Sequence, residues 1–353
     1  MKRMTDVCIV GAGPAGAMLA FLLVRKGLDV TLLESSKTLG KAFRGEHINE
    51  HGEALLKRYG LFGNLDDSMM LPMKKLENWK DGICYETIKP DPAIGHLGIH
   101  VPQRHLLAAI LKPIQHNPNF HLCVETKMIR LEGQTVYARH EGVEVAIESK
   151  LVVGADGRYS TVRKCANIGY KTWTHGYDLL WARIEKPKDW EPMIHMALVD
   201  GKQLALFTQA ENRIQIGWNI DKGSFPSLRK TDFSQFIQRL IDAFPVLETQ
   251  IHQSIQSWKD FVLLDVHSSY ADVWGRDGVV LLGDAAHTMA PTGAFGLNSA
   301  LIDAEYLATL LEEDGSIDNE AIAQFERQRA DRIHALQKQQ LEEEQHFALQ
   351  FEV

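Results

Sequence analysis

The sequence predicts an α/β protein in which an antiparallel sheet is inserted into a domain that begins with a βαβ unit. Residues 5–34 contain an apolar strand, a glycine-rich turn, an apolar stretch at helical spacing and a second strand. Residues 166–262 contain strand candidates separated by Asp-Gly and Glu-Asn turns, followed by a helix over 232–244. These strand candidates are 177–184, 193–199, 203–208 and 213–220. A buried strand that ends at Gly283 then returns the chain to the first domain.

The turn after the first strand carries the pattern G-x-G-x-x-G. Gly11 allows the tight turn, Gly13 lets the backbone approach a pyrophosphate, and Gly16 lets the helix pack closely on the strand. Phosphate groups would then lie at the helix N-terminus, where free N–H groups meet negative charge. Glu34 ends the second strand, where a carboxylate accepts hydrogen bonds from a ribose diol. The unit therefore predicts FAD or NAD rather than NADP.

Composition and charge exclude several classes of protein. The 353 residues are 45% hydrophobic and 24% charged, which is ordinary for a globular protein. The net charge of −8 gives no field that would attract nucleic acid or an anionic membrane. Four scattered cysteines without a C-x-x-C pair predict reduced thiols and no metal site. Since no targeting signal or membrane span is recognisable, we expect a cytoplasmic protein.

Between the βαβ unit and residue 165, the sequence predicts helices and short strands. A helix is expected over about 50–59, closed by Gly60, and another begins near residue 101. Residues 71–100 are expected to form a pair of strands that leaves the first domain. Further short β segments are predicted at 121–125, 134–139, 144–147 and 150–153.

Two features of this stretch could contact a nucleotide. Arg44 follows the second strand and could hold a phosphate group, although a solvated loop arginine explains it equally well. The segment Gly154-Ala155-Asp156-Gly157 ends a strand and precedes a helix with a Ser/Thr cap. It is either a second nucleotide contact or an ordinary Asp-Gly turn.

The last part of the chain returns to the first domain. A buried strand delivers Asp284 to its end within G-D-A-A-H, and a loop rich in Pro and Gly follows. The N-terminus of a helix over 299–312 is then expected to face the strand ends. The remainder from residue 318 is predicted to be helical, with the glutamates at 342–344 on a solvated face.

Together, these motifs resemble those of the FAD-dependent aromatic hydroxylases of the para-hydroxybenzoate hydroxylase type, which are single-component flavoprotein monooxygenases. The matching pieces are the glycine motif with Glu34, the G-A-D-G segment, the G-D-A-A-H segment and the loop P-T-G-A-F-G-L-N at 291–298. They occur in the family's order and approximate spacing over nearly the whole chain. The resemblance implies a Rossmann-like FAD-binding domain with an inserted antiparallel-sheet substrate domain.

The resemblance also implies domain boundaries. The FAD-binding domain is expected to be discontinuous, with segments 1–70, 98–165 and 265–353. The substrate-binding domain is expected to combine 71–97 with 166–264, and helices over 318–353 to end the chain.

The resemblance assigns FAD contacts to residues that match the family's motifs. It implies that the glycine motif holds the pyrophosphate, Glu34 the ribose, Asp284 the ribityl chain and Pro291 one side of the isoalloxazine ring. The amides of Leu297 and Asn298 would face the flavin N1 and C2 carbonyl. The full set of expected cofactor contacts is Gly11, Gly13, Ala15, Gly16, Glu34, Arg44, Arg104, Asp156, Gly157, Asp284, Pro291, Gly296, Leu297 and Asn298.

The implied activity has two half-reactions. NAD(P)H reduces FAD, and O2 then forms a flavin C4a-hydroperoxide whose distal oxygen attacks a small aromatic or heteroaromatic substrate. No catalytic residue is assigned. The candidates for the pocket wall are His47, Trp181, Phe207, Trp218 and Pro291, and His195 and Arg183 are candidate substrate contacts. A homodimer is left open.

Three other functions remain open. A flavin-dependent halogenase of the same fold should contain W-x-W-x-I-P, which the segment Gly217-Trp218-Asn219-Ile220 lacks. A prenyl-chain reductase would need no oxygen, and an FAD-containing sensor would form no product. Because the chain has no second G-x-G-x-x-G, NAD(P)H would bind transiently over the FAD domain or a separate reductase would deliver the electrons.

Overall fold

Two large sheets, one mainly parallel and one mainly antiparallel, organise the chain. The structure is a computed structural model that describes residues 2–40, 46–80 and 82–347. The α-helices are α1 (Pro14–Arg25), α2 (Glu50–Arg58), α3 (Gln103–Leu111), α4 (Thr161–Cys165), α5 (Phe225–Leu228), α6 (Phe233–Ala243), α7 (Glu248–Ser254), α8 (Phe295–Leu310) and α9 (Asn319–His346).

The strands are short except in the centres of the two sheets. The first eleven are β1 (Lys2–Val10), β2 (Val30–Leu33), β3 (His47–Ile48), β4 (Leu71–Pro72), β5 (Leu76–Lys80), β6 (Ile83–Ile88), β7 (Ile99–His100), β8 (Phe120–Cys123), β9 (Thr126–Glu132), β10 (Thr135–His140) and β11 (Val143–Gly154). The others are β12 (Tyr170–Thr174), β13 (Tyr177–Glu185), β14 (Ile194–Val199), β15 (Lys202–Gln209), β16 (Arg213–Asp221), β17 (Val262–Leu264), β18 (His267–Ala271), β19 (Gly275–Arg276), β20 (Val279–Leu281) and β21 (His287–Thr288).

The mainly parallel sheet has β1 at its centre. Its strand order is β19-β20-β11-β1-β2-β8, and β10 and β9 are attached through β11. The residues from Val7 to Val10 are almost completely buried, as expected for a parallel strand covered on both faces. Helix α1 packs against α8 and α3, so the predicted βαβ unit is confirmed as the centre of this core.

The sequence prediction differs from this sheet in two places. The segments predicted at 144–147 and 150–153 are parts of one strand, β11. The N-terminal half of β11 pairs antiparallel with β10, and its C-terminal half runs parallel to β20. Strand β9 was not predicted, because its polar and apolar residues alternate irregularly.

The mainly antiparallel sheet contains the strands predicted over 177–220. Its order is β17-β13-β16-β15-β14-β5-β6, and only the contact between β14 and β5 is parallel. Leu180, Leu204 and Ile216 point to one face and pack with α6 and α7. Strands from 76–88 therefore share a sheet with strands from 177–264. The exact domain boundaries stay predictions.

Two three-stranded sheets connect distant parts of the chain. In one, β7 lies between β3 and β4, which brings His47 opposite His100. In the other, β18 lies between β12 and β21. The residues on these short strands therefore reach positions that their local sequence does not reveal.

Helix α9 is more deeply involved in the fold than a solvated helix would be. Its Ile322, Phe325 and Ile333 are buried, as are Gln337 and Gln340. The prediction of a solvated face at 342–344 is wrong for Glu344, whose side chain is only 12% exposed. None of the helices in the described ranges is long and apolar enough to cross a membrane.

Candidate functional site

A cavity of about 510 Å³ brings together most of the predicted cofactor contacts. Its lining includes the expected residues Gly11, Gly13, Ala15, Glu34, Asp156, Gly157, Asp284, Pro291, Gly296 and Leu297. Four of the five pocket candidates line it as well, namely His47, Trp181, Phe207 and Pro291. Segments more than 250 residues apart in the sequence thus meet at one site.

The glycine turn forms one part of the cavity wall. Gly11 has a φ of +104°, and a Cβ atom there would collide with the carbonyl oxygen of Ala155. A Cβ at Gly16 would collide with the carbonyl oxygen of Gly11, so Gly16 allows close packing without lining the cavity. The first turn of α1 therefore reaches the cavity with its N-terminal end.

Glu34 connects the end of β2 to the glycine turn. Its carboxylate accepts hydrogen bonds from the N–H groups of Ala12, at 3.1 Å, and Ser36, at 2.8 Å. These bonds hold the carboxylate at the cavity wall, beside the start of α1. A ribose hydroxyl could donate to this carboxylate, as the sequence predicts.

The two carboxylate oxygens of Asp156 differ in their hydrogen bonds. Oδ2 accepts the N–H groups of Thr161, at 2.6 Å, and Val162, at 3.2 Å, at the start of α4. Oδ1 is buried and accepts no hydrogen bond from the described residues. Burial raises the pKa of Asp156, although these hydrogen bonds oppose the shift. Because a buried acceptor without a donor is costly, a ligand that donates to Oδ1 would fit here.

The loop before α8 forms the opposite wall. Asp284 follows β20 in a short 3-10 turn, and the loop reaches α8 through Gly293 and Ala294, which have φ values of +71° and +52°. The helix begins at Phe295, four residues earlier than predicted. Gly296 and Leu297 in its first turn line the cavity, so the positive end of the helix dipole faces it.

Asn298 has a structural role that was not predicted, while the predicted contact of its backbone amide with the flavin stays a prediction. It does not line the cavity; its side-chain amide donates to the carbonyl oxygens of His47 and Ala294, both at 3.1 Å. Its Oδ1 accepts the N–H of Asn49 at 3.1 Å. Asn298 thus fixes the start of α8 against the strand that carries His47.

The two predicted arginine contacts have different outcomes. Arg104 does not line the cavity, because its half-exposed guanidinium forms an ion pair with Glu211. Its neighbour Gln103 does line the cavity. Arg44 lies outside the described residues, so its predicted role stays a prediction.

Strand pairing explains which aromatic residues reach the cavity. Trp181 pairs with Gly217, where a Cβ would lie only 2.7 Å from the Trp181 ring, so the glycine makes room for the indole. Trp218 is the next residue along and points to the other face, where its ring stacks on Phe236 at 4.2 Å. The pocket prediction for Trp218 is therefore corrected, because consecutive residues of a strand point to opposite faces.

Because side chains alternate along a strand, the His195 side chain points away from the cavity. Its ring lies 4.6 Å from that of Trp190, on the face covered by helices, and it does not line the cavity. Arg183 lies on the cavity side of β13, two residues after Trp181, but does not line the cavity either. The Arg183 Nη2 atom lies 3.9 Å from Glu46 Oε1.

Four polar residues that the sequence did not single out also line the cavity: Glu46, His100, Gln209 and Gln215. The Gln209 side-chain amide donates to Glu46 Oε2 and, at 2.8 Å, to Gln215 Oε1. Glu46 was missed because it lies in a charged segment that reads as a solvated loop. Phe207 was a pocket candidate, and Gln209 lies two residues further along the same strand. Because such residues share a face, this spacing could have indicated that Gln209 faces the cavity.

The two histidines of the cavity are neutral near pH 7. Their rings meet edge to face at 5.1 Å. Burial lowers the pKa of His47 to about 3, with a further contribution from the neighbouring histidines. Burial also lowers the pKa of His100 to about 4, although its hydrogen bond to Thr208 opposes the shift. His100 Nδ1 donates to the Thr208 carbonyl oxygen at 2.8 Å, which fixes its tautomer.

A buried ion cluster supports the strand end behind Asp284. Asp303 accepts hydrogen bonds from His287 Nε2 and from Arg329 Nε, both at 2.6 Å. Burial alone would raise the pKa of Asp303, but the charges and hydrogen bonds of these two partners lower it below its usual value. The cluster joins the G-D-A-A-H segment, α8 and α9.

A family profile described as an FAD binding domain matches residues 4–340 of the chain. The chain belongs to this family. The predicted fold class and the predicted cofactor are therefore confirmed. The free acceptor of Asp156 and the two helix N-termini at the cavity agree with FAD as the ligand.

Curated proteins similar to the chain include monooxygenases and hydroxylases. The chain is 34% identical over 313 residues to 6-methylpretetramide 4-monooxygenase of Streptomyces rimosus, which covers 85% of this chain and 73% of the relative. It is 24% identical over 316 residues to 3-demethoxyubiquinol 3-hydroxylase of Escherichia coli (strain K12), which covers 87% of this chain and 79% of the relative. The chain is an FAD-dependent monooxygenase.

Solved structures show the same fold. PqsL of P. aeruginosa has a TM-score of 0.80 at 21% identity, over 99% of this chain and 100% of that chain. The tetrameric form of 2-methyl-3-hydroxypyridine-5-carboxylic acid oxygenase has a TM-score of 0.81 at 21% identity, over 99% of this chain and 92% of that chain. At these identities the similarity establishes the architecture alone.

Proposed function

We propose that this FAD-dependent monooxygenase uses NAD(P)H and O2 to hydroxylate an aromatic or heteroaromatic ring. The observation that carries the proposal is the continuity of the cavity. It runs from the glycine turn and Asp284 to a wall formed by Trp181, Phe207 and Pro291. A substrate ring held by these side chains would lie in the same cavity as the flavin.

We propose the following contacts with FAD. The start of α1, with Gly11, Gly13 and Ala15, receives the pyrophosphate, and Glu34 receives the adenosine ribose. Asp284 binds the ribityl chain. Pro291, Gly296 and Leu297 contact the isoalloxazine ring, while Asp156 and Gly157 bind FAD or NAD(P)H. When bound, FAD supplies the transfer of electrons from NAD(P)H to oxygen and the activated oxygen that the ring attacks.

The side chains on the substrate side have two tasks. Trp181 and Phe207, whose ring centroids are 6.3 Å apart, exclude water from the reacting ring and hold it by ring contacts. Trp181 Nε1 is buried and donates to none of the described residues. A substrate with an acceptor atom facing this indole would satisfy it. The N-terminus of α8 would stabilise negative charge on the reduced cofactor.

Visible absorbance tests this function. The purified yellow protein is mixed with NADH or NADPH in air, with and without a panel of phenols, hydroxypyridines and aromatic acids. We expect one class of compound to accelerate bleaching of the flavin and to gain one oxygen atom by mass. If only a separate reductase bleaches the flavin, the two-component or halogenase alternative is favoured. If a compound is reduced without gaining oxygen, the reductase alternative is favoured.

We also propose that the protein acts in the cytoplasm and forms a homodimer. All four cysteines lie in the described ranges and are free thiols, which agrees with a reducing compartment. Light scattering of the FAD-loaded protein measures its mass. A mass equal to one chain at micromolar concentration would contradict the dimer.

A further inference from the structure

Glu46 occupies an unusual position for a carboxylate, because it is buried at the substrate end of the cavity. Its backbone carbonyl accepts the N–H of Val101 at 2.8 Å, which fixes the chain beside β3 and β7. Its side chain is 9% exposed and lines the cavity. A carboxylate with so little exposure normally pairs with a cation, and Arg183 forms a long ion pair with it.

The neighbours of Glu46 fix the position of its carboxylate but do not fully compensate its negative charge. Gln209 donates one hydrogen bond to Oε2, and Gln215 holds that amide in place. The Arg183 guanidinium lies 3.9 Å from Oε1, which is beyond hydrogen-bond distance. Arg104 acts on Glu46 only through its charge, since its guanidinium pairs with Glu211. The carboxylate therefore keeps the capacity to accept a proton.

Burial raises the pKa of Glu46 to about 7, although Arg183, Arg104 and Gln209 all act to lower it. The neighbouring His47 and His100 are poor bases, since their pKa values are lowered to about 3 and about 4. A base is most effective when its pKa lies near the working pH. Among these three cavity residues, Glu46 alone meets this condition.

The spacing of Phe207 and Gln209 on β15 relates Glu46 to the aromatic wall, because Gln209 donates to the Glu46 carboxylate. Phe207 and Gln209 are alternate residues on β15, so they share a face and lie about 7 Å apart along the strand. The Phe207 ring is also 6.0 Å from that of His100. A substrate ring on Phe207 would thus have its edge near the Gln209 amide and the carboxylate that it binds.

We propose that Glu46 is the catalytic base of this monooxygenase, and that its carboxylate accepts the proton of a hydroxyl group on the substrate ring. This inference rests on the proposed function and narrows the substrate to hydroxylated aromatic or heteroaromatic rings. As the substrate O–H bond breaks, an O–H bond forms on Glu46, and the lone pair of the ring oxygen increases the electron density of the carbon that is attacked. The attacked carbon later loses its hydrogen as a proton to solvent, where it replaces the proton used to form water from the second oxygen atom of O2, and Glu46 returns its own proton to the ring oxygen. The net charge of the site is restored.

The test compares the wild-type protein with Glu46→Gln, which keeps an acceptor for Gln209 but cannot take up a proton. Glu50→Gln is the matched control, because Glu50 is an exposed carboxylate in the first turn of α2. Turnover of 2-naphthol, 3-hydroxypyridine and 3-hydroxybenzoate is measured by oxygen incorporation from about pH 5 to about pH 10. FAD content and the rate of flavin reduction by NAD(P)H are measured on the same samples.

We expect turnover of the wild type to rise with pH through about 7, as the Glu46 carboxyl group ionises. In Glu46→Gln, kcat should fall about 10²- to 10⁴-fold, with FAD content and flavin reduction unchanged. The remaining activity should rise only toward the pKa of the substrate hydroxyl itself, which is about 10 for a simple phenol. Glu50→Gln should behave as the wild type.

Three results would decide against the inference or the function. If Glu46→Gln keeps the wild-type pH profile and kcat, Glu46 is a structural residue and the inference is overturned while the proposed function stands. If the wild type oxygenates only rings without a hydroxyl group, the inference is likewise overturned. If the wild type oxygenates no aromatic compound, the proposed function itself fails.

Infrared spectroscopy gives a readout that does not depend on turnover. The difference spectrum between about pH 5 and about pH 9 should contain a larger carboxylic acid C=O band in the wild type than in Glu46→Gln, since ordinary carboxyl groups contribute equally to both proteins. An unchanged band in the variant would contradict the titration of Glu46 in this range.

Discussion

The strongest test of the link between the two large sheets is the truncation of Glu344. This carboxylate near the end of α9 accepts hydrogen bonds from the hydroxyl groups of Tyr177, at 2.9 Å, and Thr292, at 2.8 Å. It also contacts His175 Nδ1 at 2.6 Å. Tyr177 lies on the antiparallel sheet, and Thr292 follows Pro291 in the loop that lines the cavity. Glu344→Ala would remove a junction between the substrate side and the cofactor side.

The structure sets the size of the effect. The His175 ring is completely buried and its Nδ1 would lose its partner, at a cost of about 1.5–3 kcal/mol for a hydrogen bond to a charged group. In the variant, the Tyr177 and Thr292 hydroxyl groups, whose oxygen atoms are 2.9 Å apart, can hydrogen-bond to each other instead, so their loss is smaller, about 1 kcal/mol. We therefore expect the free energy of unfolding to fall by about 3 kcal/mol, which is a factor of about 150 in the folded-to-unfolded ratio.

Urea unfolding monitored by circular dichroism measures this loss. The control is Glu342→Ala on the same helix, whose side chain is 54% exposed and whose 3.5 Å ion pair with Lys338 lies at the surface. The control should change stability by less than about 0.5 kcal/mol. We also expect Glu344→Ala to release more hydrogen peroxide per NAD(P)H consumed, because the loop beside the flavin is less well held. Equal stability and equal peroxide release in the two variants would refute this reasoning.

Three further predictions concern the cofactor, the pocket and the buried ion cluster. Asp284→Ala should lose most of its FAD during purification yet remain folded, as measured by the ratio of flavin to protein absorbance and by circular dichroism. Gly217→Ala should displace the Trp181 ring, because the added Cβ would lie 2.7 Å from it; KM for the aromatic substrate should rise while FAD content is unchanged. Asp303→Asn should destabilise the protein by about 3–5 kcal/mol at pH 7, because it leaves the buried Arg329 guanidinium without its carboxylate partner. Folding lowers the pKa of Asp303, so its stabilising contribution is present above its unfolded pKa of about 3.9 and is lost as the pH falls through the folded value. The variant lacks this contribution and should therefore lose less stability on acidification than the wild type.

Each of these predictions has a result that would contradict it. Full retention of FAD in Asp284→Ala would show that the cofactor does not depend on Asp284. Asp331→Ala, at an exposed position, is the control for FAD that is lost during purification. An unchanged KM in Gly217→Ala would mean that Trp181 does not contact the substrate. An Asp303→Asn variant with the wild-type dependence of stability on pH would show that Asp303 is not ionised in the folded protein.

Local patterns predicted most of the cavity residues that we propose to contact the cofactor. The βαβ unit, Glu34, the Asp-Gly segment and Asp284 each combine a backbone requirement with a polar residue at a strand end, and such requirements are written in consecutive residues. The substrate half was predicted less well. Trp181 and Trp218 look equivalent in the sequence, and only the pairing of β13 with β16 shows which one faces the cavity.

The sequence by itself determined the family of the chain, its FAD-binding motifs and most of its helices and strands, because these depend on interactions between neighbouring residues. Only the tertiary structure decided which side chains meet at the substrate end. Glu46 lies in a charged segment and gains its burial from Gln209 and Gln215, more than 160 residues away. The same is true of Glu344, whose neighbours predict a solvated face. Burial and the pKa of a carboxyl group depend on chain segments that fold over it, and no local pattern encodes them.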